Sequence, residues 1–121
     1  MFRFALLITG LVTAVAVAAP TVGAGETATR LAGVTGPGFT ITLKKGTARV
    51  RSLRAGSYTI TVRDKSSAHN FRLKGPGLNR QITGLAFRGT KTVTVRLRRG
   101  TYTYQCDPHI AQGMKGTFRV T

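Results

Sequence analysis

From Phe39 onward, apolar and polar residues alternate along the chain in short runs, and this pattern restricts the fold more than any other feature. The apolar phases are Phe39, Ile41 and Leu43; Tyr58, Ile60 and Val62; His69, Phe71 and Leu73; Val93, Val95 and Leu97; Tyr102, Tyr104 and Cys106; and Phe118 and Val120. A period of two is typical of strands with one buried face. Glycines at 46, 56, 75, 77, 89 and 100 separate the runs. We therefore expect an all-β, antiparallel sandwich of about seven to eight strands, with residues 78–88 as a loop or irregular turn.

The first 38 residues show no such alternation. Arg3 precedes an apolar stretch that ends in Ala16-Val17-Ala18, which fits a cleaved export signal over residues 1–18. Residues 19–38 are rich in Gly, Thr and Ala and are expected to form a flexible leader, which leaves residues 39–121 as one domain. A retained membrane anchor is the alternative, but the apolar run is shorter than the roughly 20 residues that a spanning helix needs. We expect a periplasmic or extracellular protein.

The charge balance is strongly basic: 19 Lys and Arg against three Asp and Glu, a net charge of +16. Such a charge attracts acidic proteins and anionic membrane or cell-wall surfaces, and salt screens the attraction. Nucleic acid is not an expected partner, because an exported protein would seldom meet it. Strong self-repulsion favours a monomer. Most of these lysine and arginine side chains are expected to form a solvated face of a sheet. The alternative is that some of them form a dedicated docking patch.

The chain contains a single cysteine, Cys106, which has no disulfide partner within the chain. The remaining interpretations are an intermolecular bridge, a free thiol or a metal ligand. Apart from Met1, the chain has one methionine, Met114, and its only histidines are His69 and His109. Two imidazoles, one thiolate and one thioether make a complete ligand set for a mononuclear copper site, with the thioether as a weak axial ligand.

The spacing supports this interpretation, because Cys106, His109 and Met114 fall within nine residues and could wrap around one ion. His69 must arrive from an earlier strand. The runs Leu53 to Thr59 and Leu97 to Thr103 resemble each other and each leads toward a histidine. Two similar strands of a Greek-key sandwich that run to the same end would bring both histidines together. Soft sulfur ligands with imidazole suit copper, whereas zinc prefers a stronger fourth ligand than a thioether.

The sequence resembles the cupredoxins, specifically the plastocyanin and pseudoazurin branch, from about Phe39 to Thr121. The resemblance rests on the Cys-x2-His-x4-Met loop, the Gly-Thr-Tyr-Thr-Tyr run before it, the His69-Asn70 pair, and Gly116-Thr117-Phe118 at the start of a final strand. It implies an eight-stranded Greek-key sandwich with one type 1 copper ion that cycles between Cu(I) and Cu(II).

The resemblance also implies a role for each site residue. His69, Cys106 and His109 would be strong equatorial ligands and Met114 a long axial one, while Asn70 would brace the ligand loop near the sulfur. An edge of His109 would reach the surface through a partner-docking ring, formed by Pro108, Ile110, Ala111 and Gly113. Asp107 departs from the pattern: pointed at the metal, its carboxylate would favour Cu(II) and lower the reduction potential, and solvated it would do little.

The sequence therefore predicts an electron carrier that passes single electrons between redox partners with acidic docking surfaces. It does not predict an enzyme, because there are no paired carboxylates for acid–base chemistry and no substrate-pocket signature. The first alternative is copper delivery or storage on the same fold. A metal-free basic module that adheres to acidic polymers is the second, and it leaves the Cys-His-Met spacing as a coincidence.

Overall fold

The computed structural model describes residues 10–17 and 27–121, and within them the chain forms ten strands and one 3₁₀ helix. In chain order the strands are β1 (Thr29–Thr35), β2 (Ile41–Lys45), β3 (Ala48–Arg49), β4 (Ser52–Leu53), β5 (Gly56–Asp64), β6 (Phe71–Gly75), β7 (Leu78–Thr83), β8 (Gly89–Leu97), β9 (Gly100–Gln105) and β10 (Lys115–Val120). The 3₁₀ helix, Asp107–Gln112, lies between β9 and β10. Residues 10–17 have no regular secondary structure.

The strands form two five-stranded sheets. The first sheet has the order β3-β2-β1-β5-β8 and the second has the order β4-β10-β9-β6-β7. The all-β sandwich predicted from the alternation is confirmed, although the described residues contain ten strands instead of seven or eight, and β3 and β4 have only two residues each. Six of the eight pairs between these strands are antiparallel as expected, whereas β1 pairs with β5, and β4 with β10, in parallel, so both sheets are mixed.

The alternation separates the core from the surface as expected. Ile60, Val62 and Leu73 are fully buried between the sheets, and the aromatic rings stack within the second sheet, with Phe71 and Tyr104 centroids 5.9 Å apart. Burial of such side chains is worth roughly 1.5–3 kcal/mol each and is the main force that holds the sheets together. The solvated sheet face expected for most of the cations is also confirmed for six arginines on or beside the strands, which are all exposed: Arg49, Arg51, Arg63, Arg96, Arg98 and Arg119.

The flexible leader predicted over residues 19–38 is wrong for its second half. Residues 29–35 form β1, which pairs with both β2 and β5 at the centre of the first sheet. Leu31 and Thr35 face the core, and Gly33 between them lies directly against the Phe71 ring, where a β-carbon would stand 2.9 Å from it. Because Gly33 has no apolar side chain, the alternation of apolar and polar residues along β1 cannot be recognised in the sequence. Residues 19–26 lie outside the described residues.

The predicted export signal over residues 1–18 stays a prediction. Residues 1–9 and 18 lie outside the described part of the chain, and residues 10–17 have no regular secondary structure. Within residues 10–17 and 27–121, no helix combines the length and the apolar character needed to cross a membrane.

The segment 78–88, expected to be a loop, begins with strand β7. Only Ile82 and Thr83 of this strand are buried, so β7 has too few apolar residues for the alternation to be visible in the sequence. Phe39 was predicted to be buried because it shares the apolar phase of Ile41 and Leu43. It lies before β2, however, and its side chain is 56% exposed.

The strands end at two poles, which we call the site pole and the far pole. The site pole holds the end of β1 and β5, where Thr35 pairs with Asp64, and the junction of β9 and β10, where Gln105 pairs with Lys115. The far pole holds the start of β5 and the C-terminus, because the Ala55 N–H donates to the Thr121 carbonyl at 3.0 Å. Every residue predicted to serve as a ligand lies at the site pole.

Candidate metal centre

His69 lies in the loop between β5 and β6, and local hydrogen bonds define the shape of this loop. The Asp64 carboxylate accepts a hydrogen bond from the Ser66 N–H at 3.1 Å, and the Ser66 hydroxyl accepts one from the Ala68 N–H at 3.1 Å. Short polar side chains that bond to the backbone two residues ahead are typical of such turns. The loop brings His69 inward, where it is 4% exposed.

The second loop runs from Cys106 to Met114 through the 3₁₀ helix. Pro108 suits the start of a helix, where its missing N–H would have had no partner. Gly113 ends the helix in the left-handed region at φ 86°, where a residue with a β-carbon is disfavoured. The Cys106 N–H then donates to the Met114 carbonyl at 3.0 Å, which closes the loop.

The two loops bring three potential ligand atoms together. Nδ1 of His69 and Nδ1 of His109 are 2.9 Å apart, and the Cys106 Sγ lies 3.7 Å from the first and 3.4 Å from the second. A point equidistant from the three atoms would lie about 2.0 Å from each of them, close to the roughly 2.0–2.1 Å of a metal–imidazole bond. The prediction that both histidines meet at one pole beside the cysteine is therefore confirmed, and the donor set fits one metal ion.

Met114 is fully buried but does not belong to the hydrophobic core cluster between the sheets. Its N–H donates to the His109 carbonyl at 3.2 Å, so the methionine follows directly from the histidine-bearing turn. This position suits the predicted fourth ligand, and the axial role of the thioether stays a prediction.

The environment of the Cys106 thiol influences how readily a thiolate forms. Burial raises the pKa of the thiol, and the negative charges of Asp107 and Asp64 act in the same direction. Hydrogen bonds from the backbone of Asn70 and His109 oppose this effect and favour the thiolate. The net pKa is raised, and a cation bound at the site would reverse this preference because metal coordination deprotonates a thiol.

Asn70 links the two loops and is fully buried. Its Oδ1 accepts a hydrogen bond from the Asp107 N–H at 2.7 Å, and its Nδ2 donates to the Asp107 carboxylate at 2.8 Å and to Gln81 at 3.0 Å. Asn70, which follows His69, therefore binds both the backbone and the side chain of Asp107, which follows Cys106. These contacts match the bracing role that the resemblance implied for Asn70.

The Asp107 carboxylate forms part of a polar cluster on the outer face of the second sheet. It accepts hydrogen bonds from Gln105 at 2.9 Å and from Arg72 at 2.9 Å, in addition to the one from Asn70. Burial raises the pKa of Asp107 and is the largest single cause, but the hydrogen bonds from these three residues together lower the pKa below its ordinary value. Of the two options left open for Asp107, neither describes it, because the carboxylate is paired with Arg72.

The surface side of the site is apolar. His109 is half-buried, whereas His69 is almost completely buried, and the four residues of the predicted docking ring are all exposed: Pro108, Ile110, Ala111 and Gly113. Phe39 extends this ring from a different part of the chain. Its ring centroid lies 4.9 Å from that of His109 and 6.3 Å from that of His69.

Three residues near the site were missed or misjudged in the sequence analysis. Phe39 was assigned to the core because its phase matches that of β2, and the glycines at 36 and 38 were the available sign that the strand had not yet begun. Asp64 was not singled out, although an acidic residue two positions before a serine is a turn signal. Arg72 could not be connected to Asp107, because the contact spans 35 residues and two strands.

Comparisons with known proteins agree with this site. The family model of copper binding proteins of the plastocyanin/azurin family matches residues 40–121. The fold is similar to that of rusticyanin from Thiobacillus ferrooxidans, with a TM-score of 0.54 and 22% identity over 76% of each chain. It is also similar to that of auracyanin from Roseiflexus castenholzii, with a TM-score of 0.55 and 22% identity over 79% of this chain and 99% of that one. No curated protein sequence shows significant similarity.

Proposed function

Because the chain belongs to the plastocyanin/azurin family of copper-binding proteins, we propose that it is an exported electron carrier with one type 1 copper ion. His69, Cys106 and His109 would hold the ion, and Met114 would be its weaker fourth ligand. The observation that carries the proposal is the convergence of two imidazole nitrogens and a thiol sulfur, within 3.7 Å of one another, at a buried position.

The ion supplies one-electron chemistry between Cu(I) and Cu(II). The residues around it supply a fixed geometry, because each ligand belongs to a loop that is hydrogen-bonded to the other through Asn70 and Asp107. A ligand set that cannot rearrange suits electron transfer, since little reorganisation is then needed when the charge changes. Burial of Cys106 and His69 keeps water away from the thiolate.

The half-buried His109 offers the path by which an electron would reach a partner. Its surroundings are apolar and exposed, so a partner could approach closely without stripping water from charged groups. We define the electron port as His109 together with Phe39, Pro108, Ile110, Ala111 and Gly113. The basic surface elsewhere would attract redox partners with acidic docking surfaces and would speed their encounter with the protein.

The decisive experiment is the visible absorption spectrum of the purified protein after Cu(II) is added, measured beside Cys106→Ser. We expect an intense blue thiolate-to-copper band that the variant lacks. A colourless wild-type protein would contradict the proposal. A protein that binds Cu(I) but does not exchange electrons reversibly at an electrode would support copper delivery or storage instead.

A further inference from the structure

The described surface of the protein carries almost no uncompensated negative side chain. Of the two acidic residues in the described part of the chain, Asp64 is 2% exposed and Asp107 is paired with Arg72. No other lysine or arginine within residues 27–121 forms a salt bridge. The charged groups of the described surface are thus almost all positive, which attracts anions from a distance but does not by itself select a place for them.

Several open grooves of the described surface are lined by cations, and one of them adjoins the electron port. An open groove of about 560 Å³ lies on the outer face of the second sheet. Its lining comprises Arg49, Lys74, Thr103, Gln105, Ile110, Lys115, Gly116 and Thr117. Three exposed cations and two threonine hydroxyls therefore face the same space, and we call it the basic groove. All of these groups donate hydrogen bonds, and the cations cannot accept them, so the groove suits carboxylates.

The register of the strands gives the spacing of the cations. Lys115 on β10 pairs with Gln105 on β9, and Lys74 on β6 pairs with Thr103 on β9. The two lysines are therefore on strands two positions apart and are offset by two residues along β9, so their Cα atoms are roughly 12 Å apart, a distance that about four residues of extended chain span. A short acidic segment could contact both lysines at once.

The basic groove is continuous with the electron port, because Ile110 lines the groove and also belongs to the port. We propose that the basic groove binds an acidic segment of the protein redox partner while the port contacts the partner's redox centre. This inference rests on the proposed function, and it names the side from which the partner approaches: over the outer face of the second sheet, between β6 and β10.

Asp107 does not cancel this attraction, although Gln105 connects it to the groove. Its carboxylate already accepts a hydrogen bond from Arg72, so the pair contributes little net charge. Exposed ion pairs are individually weak and are screened by salt. A partner held in this way would bind briefly and leave quickly, as an electron carrier requires.

The test uses the copper-loaded, reduced protein and a synthetic peptide of six glutamates, with binding followed by the shifts of backbone amide NMR signals. In the groove variant, Arg49→Gln, Lys74→Gln and Lys115→Gln are combined. The control variant combines Arg54→Gln, Arg96→Gln and Arg99→Gln, which lie at the far pole, are exposed, and remove the same charge.

We expect the peptide to shift the amides of Thr103, Ile110 and Thr117, and the groove variant to weaken its binding roughly tenfold against less than about twofold in the control. Equal weakening in both variants would overturn the proposal, because net charge alone would then explain the binding. The proposal would also be overturned if the wild-type protein bound phosphatidylglycerol vesicles but not the peptide, and if the groove variant lost the binding to vesicles. The absorption spectrum of the same samples after oxidation to Cu(II) tests the proposed function separately, since it reports the copper–thiolate bond and not the groove.

Discussion

The two sides of the ligand loop differ in almost every physical respect. On its inner side, toward the sheets, Asn70 and Asp107 are held by hydrogen bonds that reach β6, β7 and β9, and His69 is almost inaccessible. On its outer side, exposed apolar groups surround the edge of His109, and Phe39 is the largest of them. We infer that the inner side fixes the geometry of the ligands, whereas the outer side determines the rate of electron exchange with a partner. Each of the following variants should affect one side and spare the other.

The largest effect is expected for Asn70→Ala on the inner side. The substitution leaves the Asp107 N–H without its acceptor and removes both links between the loops, in a place with no access to water. An unpaired buried polar group costs about 1–3 kcal/mol, so we expect the free energy of unfolding of the copper-free protein to fall by about 2–3 kcal/mol. Denaturant titration measures the change.

Gln81→Ala is the control for this variant, because Gln81 is exposed and makes only one of the Asn70 contacts. It should lower the free energy of unfolding by less than about 1 kcal/mol. Similar losses in the two variants would show that Asn70 is not a special link between the loops.

The next effect concerns the reduction potential and is expected for Asp64→Asn. Asp64 is buried, and its negative charge contributes to the raised pKa of the Cys106 thiol, after burial and the charge of Asp107. The same charge should favour Cu(II), so its removal should raise the potential by about 59 mV, a tenfold change in a one-electron equilibrium. Asparagine keeps an acceptor for the Ser66 N–H, which preserves the turn.

Cyclic voltammetry of the copper-loaded protein measures this shift, and Asp107→Asn serves as the comparison. Asp107 is adjacent to the cysteine in sequence, and its charge raises the pKa of the Cys106 thiol more than the charge of Asp64 does. We expect its removal to raise the potential by at least as much, because the substitution also leaves the Arg72 cation without its partner. A smaller shift for Asp107→Asn than for Asp64→Asn would mean that screening by solvent outweighs the position of Asp107 beside the cysteine.

On the outer side, Phe39→Ala should change neither the potential nor the visible spectrum. Because Phe39 is already 56% exposed, its removal costs little packing, and the protein should unfold at nearly the same temperature. The rate of electron exchange with a protein partner should fall several-fold, since apolar aromatic groups contribute strongly to contact surfaces. Stopped-flow measurements provide the rate, with Leu85→Ala as a control at another exposed apolar residue. An unchanged rate would exclude Phe39 from the electron port.

The smallest effect is expected in acid. The pKa of Asp107 is lower in the folded protein than in an unfolded chain, so its interactions stabilise the fold fully above the unfolded value, about 3.9, and are lost as the pH falls through the folded value. Asp107→Asn should therefore unfold with a weaker dependence on pH below about 4 than the wild type. Thermal unfolding between pH 2 and 7, in steps of roughly one unit, measures the dependence. A steeper dependence in the variant would contradict the assigned direction of the pKa shift.

Much of the fold and the meeting of the ligands could be predicted from the sequence, because period-two burial and the Cys-x2-His-x4-Met spacing are local patterns. What could not be predicted depends on contacts between distant segments. Strand β1 was missed because Gly33 stands at an inward position that a larger residue would have marked as apolar. The pairing of Arg72 with Asp107 requires the register of β6 against β9, which no local pattern contains. Phe39 was misjudged because its contacts are with His109, 70 positions away along the chain.

The start of β1 and Thr121 both lie at the far pole, and this has a practical consequence. β1 begins there beside Tyr58, and Thr121 is hydrogen-bonded there to Leu53 and Ala55, whereas His109 lies at the opposite end of the sandwich. A linker fused after Thr121 would thus fasten the domain to a gold electrode or a sensor chip with its histidine facing the solution. Immobilisation of this kind would give every molecule the same orientation without altering a single residue of the site.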